Sequence, residues 1–124
     1  MLNYFYVGLG AALGGGLRYW VSNVVYKFLP TFFPYGTLIV NALGSFILGF
    51  LIFYFDQREL LSQNLKLFLT IGFCGGFTTF STFSFETIKL FQDSEIYLGM
   101  LNILLSIILS FLGIYLAYIL SKFN

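Results

Sequence analysis

The chain predicts an all-α membrane protein, and three observations carry that expectation. Of its 124 residues, 59% are hydrophobic and 9% charged, with mean hydropathy +0.91, whereas a soluble domain carries roughly 25% charged residues. The charges fall between long uncharged runs: residues 28–55, 67–85 and 96–121 have none, and residues 1–26 have only Arg18. The runs are continuously apolar rather than alternating in ten-residue segments, so helices fit and a transmembrane β-barrel does not.

A helix needs about 20 apolar residues to cross the hydrocarbon core. That length predicts four spans, at about 4–26, 36–55, 67–88 and 97–121, forming a single domain over residues 1–124 without internal repeats. Span 1 is rich in glycine and contains a Gly10-xxx-Gly14 spacing, which predicts close helix packing. The glycine run is no dinucleotide loop, since no strand precedes it and no acidic residue follows at the right distance. Pro30 and Pro34 lack backbone N–H groups and mark the first loop. Polar residues 56–66 and 89–95 make the other two. Tyr4, Tyr6, Trp20, Tyr26, Tyr35, Tyr54 and Tyr97 lie towards span ends, where amphipathic rings prefer the interface. The N-terminus has no basic segment or small-residue cleavage site and reads as mature sequence rather than a signal peptide.

Span 3 carries the most information. Its centre reads Gly72-Phe-Cys-Gly-Gly-Phe-Thr-Thr-Phe-Ser-Thr-Phe-Ser84. Adjacent glycines loosen a helix and expose backbone groups, which hydrocarbon tolerates only where protein, a cavity or an ion satisfies them. The third helix is therefore expected to break near its middle, at the glycines. Phe77, Phe80 and Phe83 follow at i, i+3, i+6, interleaved with Ser81, Thr82, Ser84 and Thr87. Hydroxyls donate to an anion or accept from a donor, and an aromatic ring is electropositive at its edge and negative on its face. Ring edges beside hydroxyls would line a path for a small anion, whereas ring faces would suit a cation. Any one of these hydroxyls also has a purely structural alternative, a bond to its own i−4 carbonyl.

Two more polar stripes point the same way. Thr37, Asn41 and Ser45 share one face of span 2, and Asn102, Ser106 and Ser110 one face of span 4. An amide at mid-membrane is costly unless paired. Asn41 either offers its NH₂ to a passing anion or glues helices together. The stripes facing one another would make a pathway or a closed polar interface. Arg18 would attract anions or anchor a helix end by bonding carbonyls. Glu86, which would repel a nearby anion if ionised, is expected at a pathway entrance, the alternatives being a hydrogen bond to the hydroxyls or a mere span-end charge.

Composition excludes much else. Net charge is +1, which gives no case for nucleic acid, and the lone Cys74 excludes an internal disulfide and a multi-cysteine metal site. There is no histidine, no nucleophile–base pair and no clustered carboxylate, so no enzyme site is expected. Four spans would place both termini on one side with Arg58, Lys66 and Lys122, against Lys27 and Lys89 on the other, joined by Arg18 if it snorkels that way. That near-balance provides almost no orientation bias. It leaves open both a single topology and two opposed copies, and a chain this small needs an oligomer, most simply a dimer, to enclose a polar path.

At these residues the sequence resembles the Fluc (CrcB) family of fluoride channels. Gly14-Gly-Gly-Leu-Arg-Tyr19, Gly36-Thr-Leu-Ile-Val-Asn41 and Gly75-Gly-Phe-Thr-Thr-Phe-Ser-Thr-Phe-Ser84 carry the match, which covers essentially the whole chain. The resemblance implies an antiparallel, dual-topology homodimer in the plasma membrane (a prokaryotic inner membrane), with two fluoride pathways serving passive fluoride exit. It implies that Phe80 and Phe83 line the pathways by their ring edges, with Asn41 and the hydroxyls Ser81, Thr82 and Ser84. Thr37 and Glu86 would stand near that track, and Ser106 and Ser110 on its span 4 side. Arg18 matches the family's span 1 arginine. The carbonyls of Gly75 and Thr78, from both subunits, would hold a structural sodium ion. The rival reading is a proton-coupled exporter of the small multidrug-resistance type, which needs a carboxylate in span 1. Span 1 has none.

Overall fold

A computed structural model of the chain describes residues 1–123. Those residues form helices and short connections, with no strand among them. Helix α1 covers Leu2–Phe28. Helix α2 covers Tyr35–Asp56, its last turns over Leu51–Asp56 widening to π-type spacing. Helix α3 covers residues 63–77, with wide turns over Leu67–Cys74. Helix α4 is Phe80–Gln92 and α5 is Ile96–Lys122. Three rods are long and apolar enough to cross a membrane: Tyr35–Asp56, Gln63–Gln92 (α3 with α4) and Ile96–Lys122. At 27 residues α1 is about 40 Å long, but its glycines and Arg18 dilute its apolar character.

The helix limits agree with the expected spans to within a few residues. The first loop falls at 29–34, where the prolines predicted it. The helices run past the apolar stretches into flanking polar residues, because a backbone entering the interface still gains from its own hydrogen bonds. At the end of α3 nearest the second loop, Ser62 Oγ accepts from Leu65 N at 3.2 Å as an N-cap.

Packing divides the molecule into two same-direction pairs. Helix α1 lies along α3, and α2 lies along α5. The α1–α3 seam is glycine against glycine. A Cβ on Gly10 would strike the Phe68 carbonyl, and one on Gly14 the Phe73 carbonyl. From the other side, a Cβ on Gly72 would lie 2.7 Å from Val7 O and one on Gly76 2.5 Å from Ala11 O. Both helices present small residues four apart, and their backbones meet. The expected role of Gly10 and Gly14 in packing is what the fold uses.

The ends of α2 and α5 are tied together at one face of the bundle. Arg58 donates to Tyr54 O at 2.9 Å and Ser121 O at 2.7 Å, and its guanidinium lies 4.2 Å from the Tyr54 ring centre. These carbonyls end their helices without intrahelical donors, and a cation there also faces the negative ends of two helix dipoles. At the opposite face, Gly36 N donates to Tyr26 Oη at 3.1 Å, joining α1 to the start of α2.

The break and the site around it

The third rod is interrupted, but one turn later than its glycines suggest. Gly75, Gly76 and Phe77 are helical. The chain leaves the helix at Thr78 (φ −88°, ψ 160°) and Thr79 (φ −153°, ψ 116°). The glycine explanation of the break is therefore corrected. Gly72 and Gly76 serve close approach to α1, and a residue on another helix holds the break.

That residue is Asn41. Its Oδ1 accepts from Thr79 N at 2.7 Å, and its Nδ2 donates to Thr79 O at 3.0 Å. One amide thus satisfies both backbone groups of a residue that has left the helix, which is what a hydrocarbon setting requires. One Nδ2 proton remains for another acceptor. Thr79 was absent from the sequence-based candidates, yet it also caps α4 by accepting from Thr82 N at 3.2 Å. A threonine three residues before a hydroxyl-bearing helical turn is the signal that would have found it.

The remaining backbone groups at the break divide into engaged and free. Cys74 O accepts both Thr78 N at 3.0 Å and Thr78 Oγ1 at 2.9 Å. Gly76 O accepts from Arg18 Nε at 3.1 Å. Arg18 thus anchors a helix end, one of its two expected roles. In a continuous helix Thr79 N would serve Gly75 O, and Thr82 N would serve Thr78 O. Both donors go elsewhere, to Asn41 Oδ1 and Thr79 Oγ1. The Gly75 and Thr78 carbonyls are left without those partners, and Gly75 is exposed with open space beyond it. Neutral oxygens of this kind fit a hard cation.

The three phenylalanines separate. Phe77 is fully buried, stacked on Phe73 with centroids 5.9 Å apart. Phe80 is 78% exposed and Phe83 partly exposed, with centroids 5.4 Å apart and planes at 52°. These two border a cavity of about 380 Å³ between α2, α3, α4 and α5, whose wall also includes Asn41, Gly75 and Thr78.

The hydroxyls separate as well. Ser81 is exposed, 3.3 Å from Thr79 Oγ1, and Thr82 Oγ1 forms no hydrogen bond with a described residue. Ser84 donates to Phe80 O at 2.9 Å and Thr87 to Phe83 O at 2.8 Å, the structural alternative noted above. Thr37 is buried beside the Glu86 carboxyl group, whose Oε1 is buried without a hydrogen-bond partner. On α5, Ser110 reaches the cavity. Ser106 reaches it too, but its hydroxyl lies 3.4 Å from Asn102 Oδ1. Asn102 is buried and donates to Thr87 Oγ1 at 2.9 Å. The first part of the α5 stripe is therefore a closed helix–helix contact, and only its far end is open.

Asn41, Phe80, Phe83, Ser106, Ser110, Gly75 and Thr78 thus meet around one cavity. Ser81 and Thr82 lie next to it on α4. Thr37 and Glu86 stand further along, towards the loop between α4 and α5. Arg18 acts from behind, through Gly76.

Residues 5–118 match the family model described as "CrcB-like protein, Camphor Resistance (CrcB)". The chain is 46% identical over 117 residues to a protein of Magnetococcus marinus named "Fluoride-specific ion channel FluC", covering 94% of this chain and 95% of that one. A protein of the same name from Clostridium perfringens is 50% identical over 101 residues, covering 82% and 79%. Another from Flavobacterium psychrophilum is 39% identical over 122 residues, covering 98% of both chains. With its fold, its interrupted third rod and these relatives along nearly its whole length, the chain belongs to the CrcB-like family of membrane proteins.

Proposed function

We propose that this protein is a fluoride channel of the prokaryotic inner membrane, conducting the anion passively out of the cell and catalysing no reaction. One observation carries the reading: Asn41 bonds both backbone groups of Thr79, the residue next to Phe80, and Phe80 and Phe83 border a cavity beside the unpaired Thr82 hydroxyl. The relatives, named as fluoride-specific ion channels, support the choice of ion.

Fluoride is small and strongly hydrated, so stripping its water is costly unless donors replace the shell. Ser81, Thr82 and the free proton of Asn41 offer single neutral donors. Neutral donors hold the ion weakly enough to release it, as conduction requires. The edges of Phe80 and Phe83 narrow the path and present electropositive C–H groups. Ser84 joins the track on rotating its hydroxyl from the Phe80 carbonyl. Thr37 and Glu86 form the entrance, and Ser106 and Ser110 the α5 wall.

In this reading α1 is the fourth span, and two copies in opposed orientations make the working unit. A single chain leaves Gly75 and Phe80 exposed, with open space beside Gly75, and a second copy would cover them. The Gly75 and Thr78 carbonyls of both copies would then hold a sodium ion, which supplies positive charge and rigidity at the centre.

Fluoride loss from liposomes holding purified protein tests the reading, with chloride-loaded vesicles in parallel. Wild type should release fluoride and retain chloride. Phe80→Ile, Phe83→Ile and Asn41→Asp should abolish release. Vesicles that keep fluoride despite well-folded wild-type dimers would sink the channel reading and favour a proton-coupled exporter or an assembly subunit.

A further inference from the structure

The cavity contains a donor that the pathway described so far does not use. Its wall is mainly apolar, with Leu48, Ile107 and Phe111 among its side chains. An anion that passes Asn41 into such a space needs further donors or loses stabilisation. Most of the wall's hydroxyls are engaged. Thr70 donates to Lys66 O at 2.7 Å and Thr78 to Cys74 O, while Ser106 faces Asn102 and Thr79 accepts from Thr82 N. Ser45 and Ser110 form no hydrogen bond with any described residue, although both line the cavity.

Ser45 is the more telling of the two. A helical serine commonly bonds its own i−4 carbonyl, which for Ser45 is that of Asn41, and here it does not. It sits one turn beyond Asn41 on the same face of α2, about 6 Å along the helix. Asn41 bonds Thr79, and the wall continues past it to Leu48 on α2 and Thr70 on α3. That direction leads away from Glu86 and towards the loop joining α2 to α3. The α4 hydroxyls, among them the unpaired Thr82, thus lie on one side of Asn41 and Ser45 on the other.

We propose that Ser45, with Ser110 across the cavity, is a further fluoride-contacting residue: the next donor after Asn41, partly replacing water before the ion is fully rehydrated. The proposal rests on the channel reading. It predicts a graded effect, because water or Ser110 compensates for a single lost donor.

The test is fluoride efflux from liposomes for wild type, Ser45→Ala, Ser45→Thr, Ser45→Ala with Ser110→Ala, and Thr70→Val. Ser45→Ala should slow efflux about tenfold, the effect of one hydrogen bond to a charged group. Ser45→Thr should restore it, and the double variant should be slower still. Thr70→Val should conduct like wild type, since that hydroxyl is engaged by its own helix. Packing at Ser45 would instead lower melting temperature and would not be rescued by the bulkier threonine. A second measurement covers misfolding of the alanine variant. Ser45→Cys in a Cys74→Ala background should react with a charged methanethiosulfonate reagent, and the product should be blocked. Wild-type flux unchanged in Ser45→Ala, or an unreactive cysteine in a conducting channel, overturns this proposal alone. Wild-type vesicles that hold their fluoride overturn the channel reading with it.

Discussion

The two halves of the third rod differ in what each does with its surface. Helix α3 turns small residues inward: Gly72 and Gly76 let its backbone meet α1, and Phe77 fills the core. Helix α4 starts after the two-residue break and turns Phe80 and Ser81 outward, both exposed. The sequence runs through Phe-x-x-Phe-x-x-Phe without a change of pattern, yet the first ring is structural and the next two are free. The difference teaches that a break in a membrane helix does more than expose carbonyls. It also re-phases the helix, so that residues on either side of it answer to different neighbours.

The largest expected effect tests the packed half. Gly76→Leu would drive a side chain into the Ala11 backbone, which cannot yield as a flexible side chain would, and should prevent recovery of folded protein. Gly75→Leu enters open space on a single chain and should still fold. On the proposed dimer it should instead give monomers, as read by size-exclusion chromatography in detergent. Equal failure of both would erase the distinction.

Next comes the pair of rings. Phe77→Ala removes a fully buried ring and should cost about 4 kcal/mol, seen as a large drop in melting temperature in micelles. Phe80→Ala should leave that temperature nearly unchanged and remove fluoride flux. If Phe80→Ala is equally destabilising, the outward half is packed after all.

The smallest effect concerns the joint itself. Arg18→Gln should cost about 2 kcal/mol, the scale of a hydrogen bond from a charged donor, by weakening support of the Gly76 carbonyl. Efflux should persist, since Arg18 acts through the backbone and not on the ion. Loss of flux with unchanged melting would show that the charge itself attracts fluoride.

Much of the architecture was legible because it follows from local rules. Uncharged apolar runs of the right length located the helices, and Pro30 and Pro34 located the first loop. The polar stripe on α2 pointed to Asn41. The place of the break was not legible, because glycine only permits it. Asn41, 38 residues away in sequence from Thr79, decides where the ladder opens by supplying the bonds that a continuous helix would have made. Nor was the fate of each hydroxyl legible. Ser84 and Thr87 bond the carbonyls four residues back, those of Phe80 and Phe83, while Ser45 and Ser110 make no such bond.

By itself, then, the sequence determined that the chain is helical, that it belongs in a membrane, and which polar residue types its apolar helices carry. Hydropathy, helix length and side-chain chemistry are properties of single segments, so no neighbour is needed to read them. Only the tertiary structure decided that Phe77 is core while Phe80 and Phe83 face the cavity, that Arg18 braces a carbonyl, and that Ser45 keeps its donor free. Each of those outcomes depends on which backbone groups and side chains another helix brings within hydrogen-bond or van der Waals reach, and that proximity exists only after the helices pack.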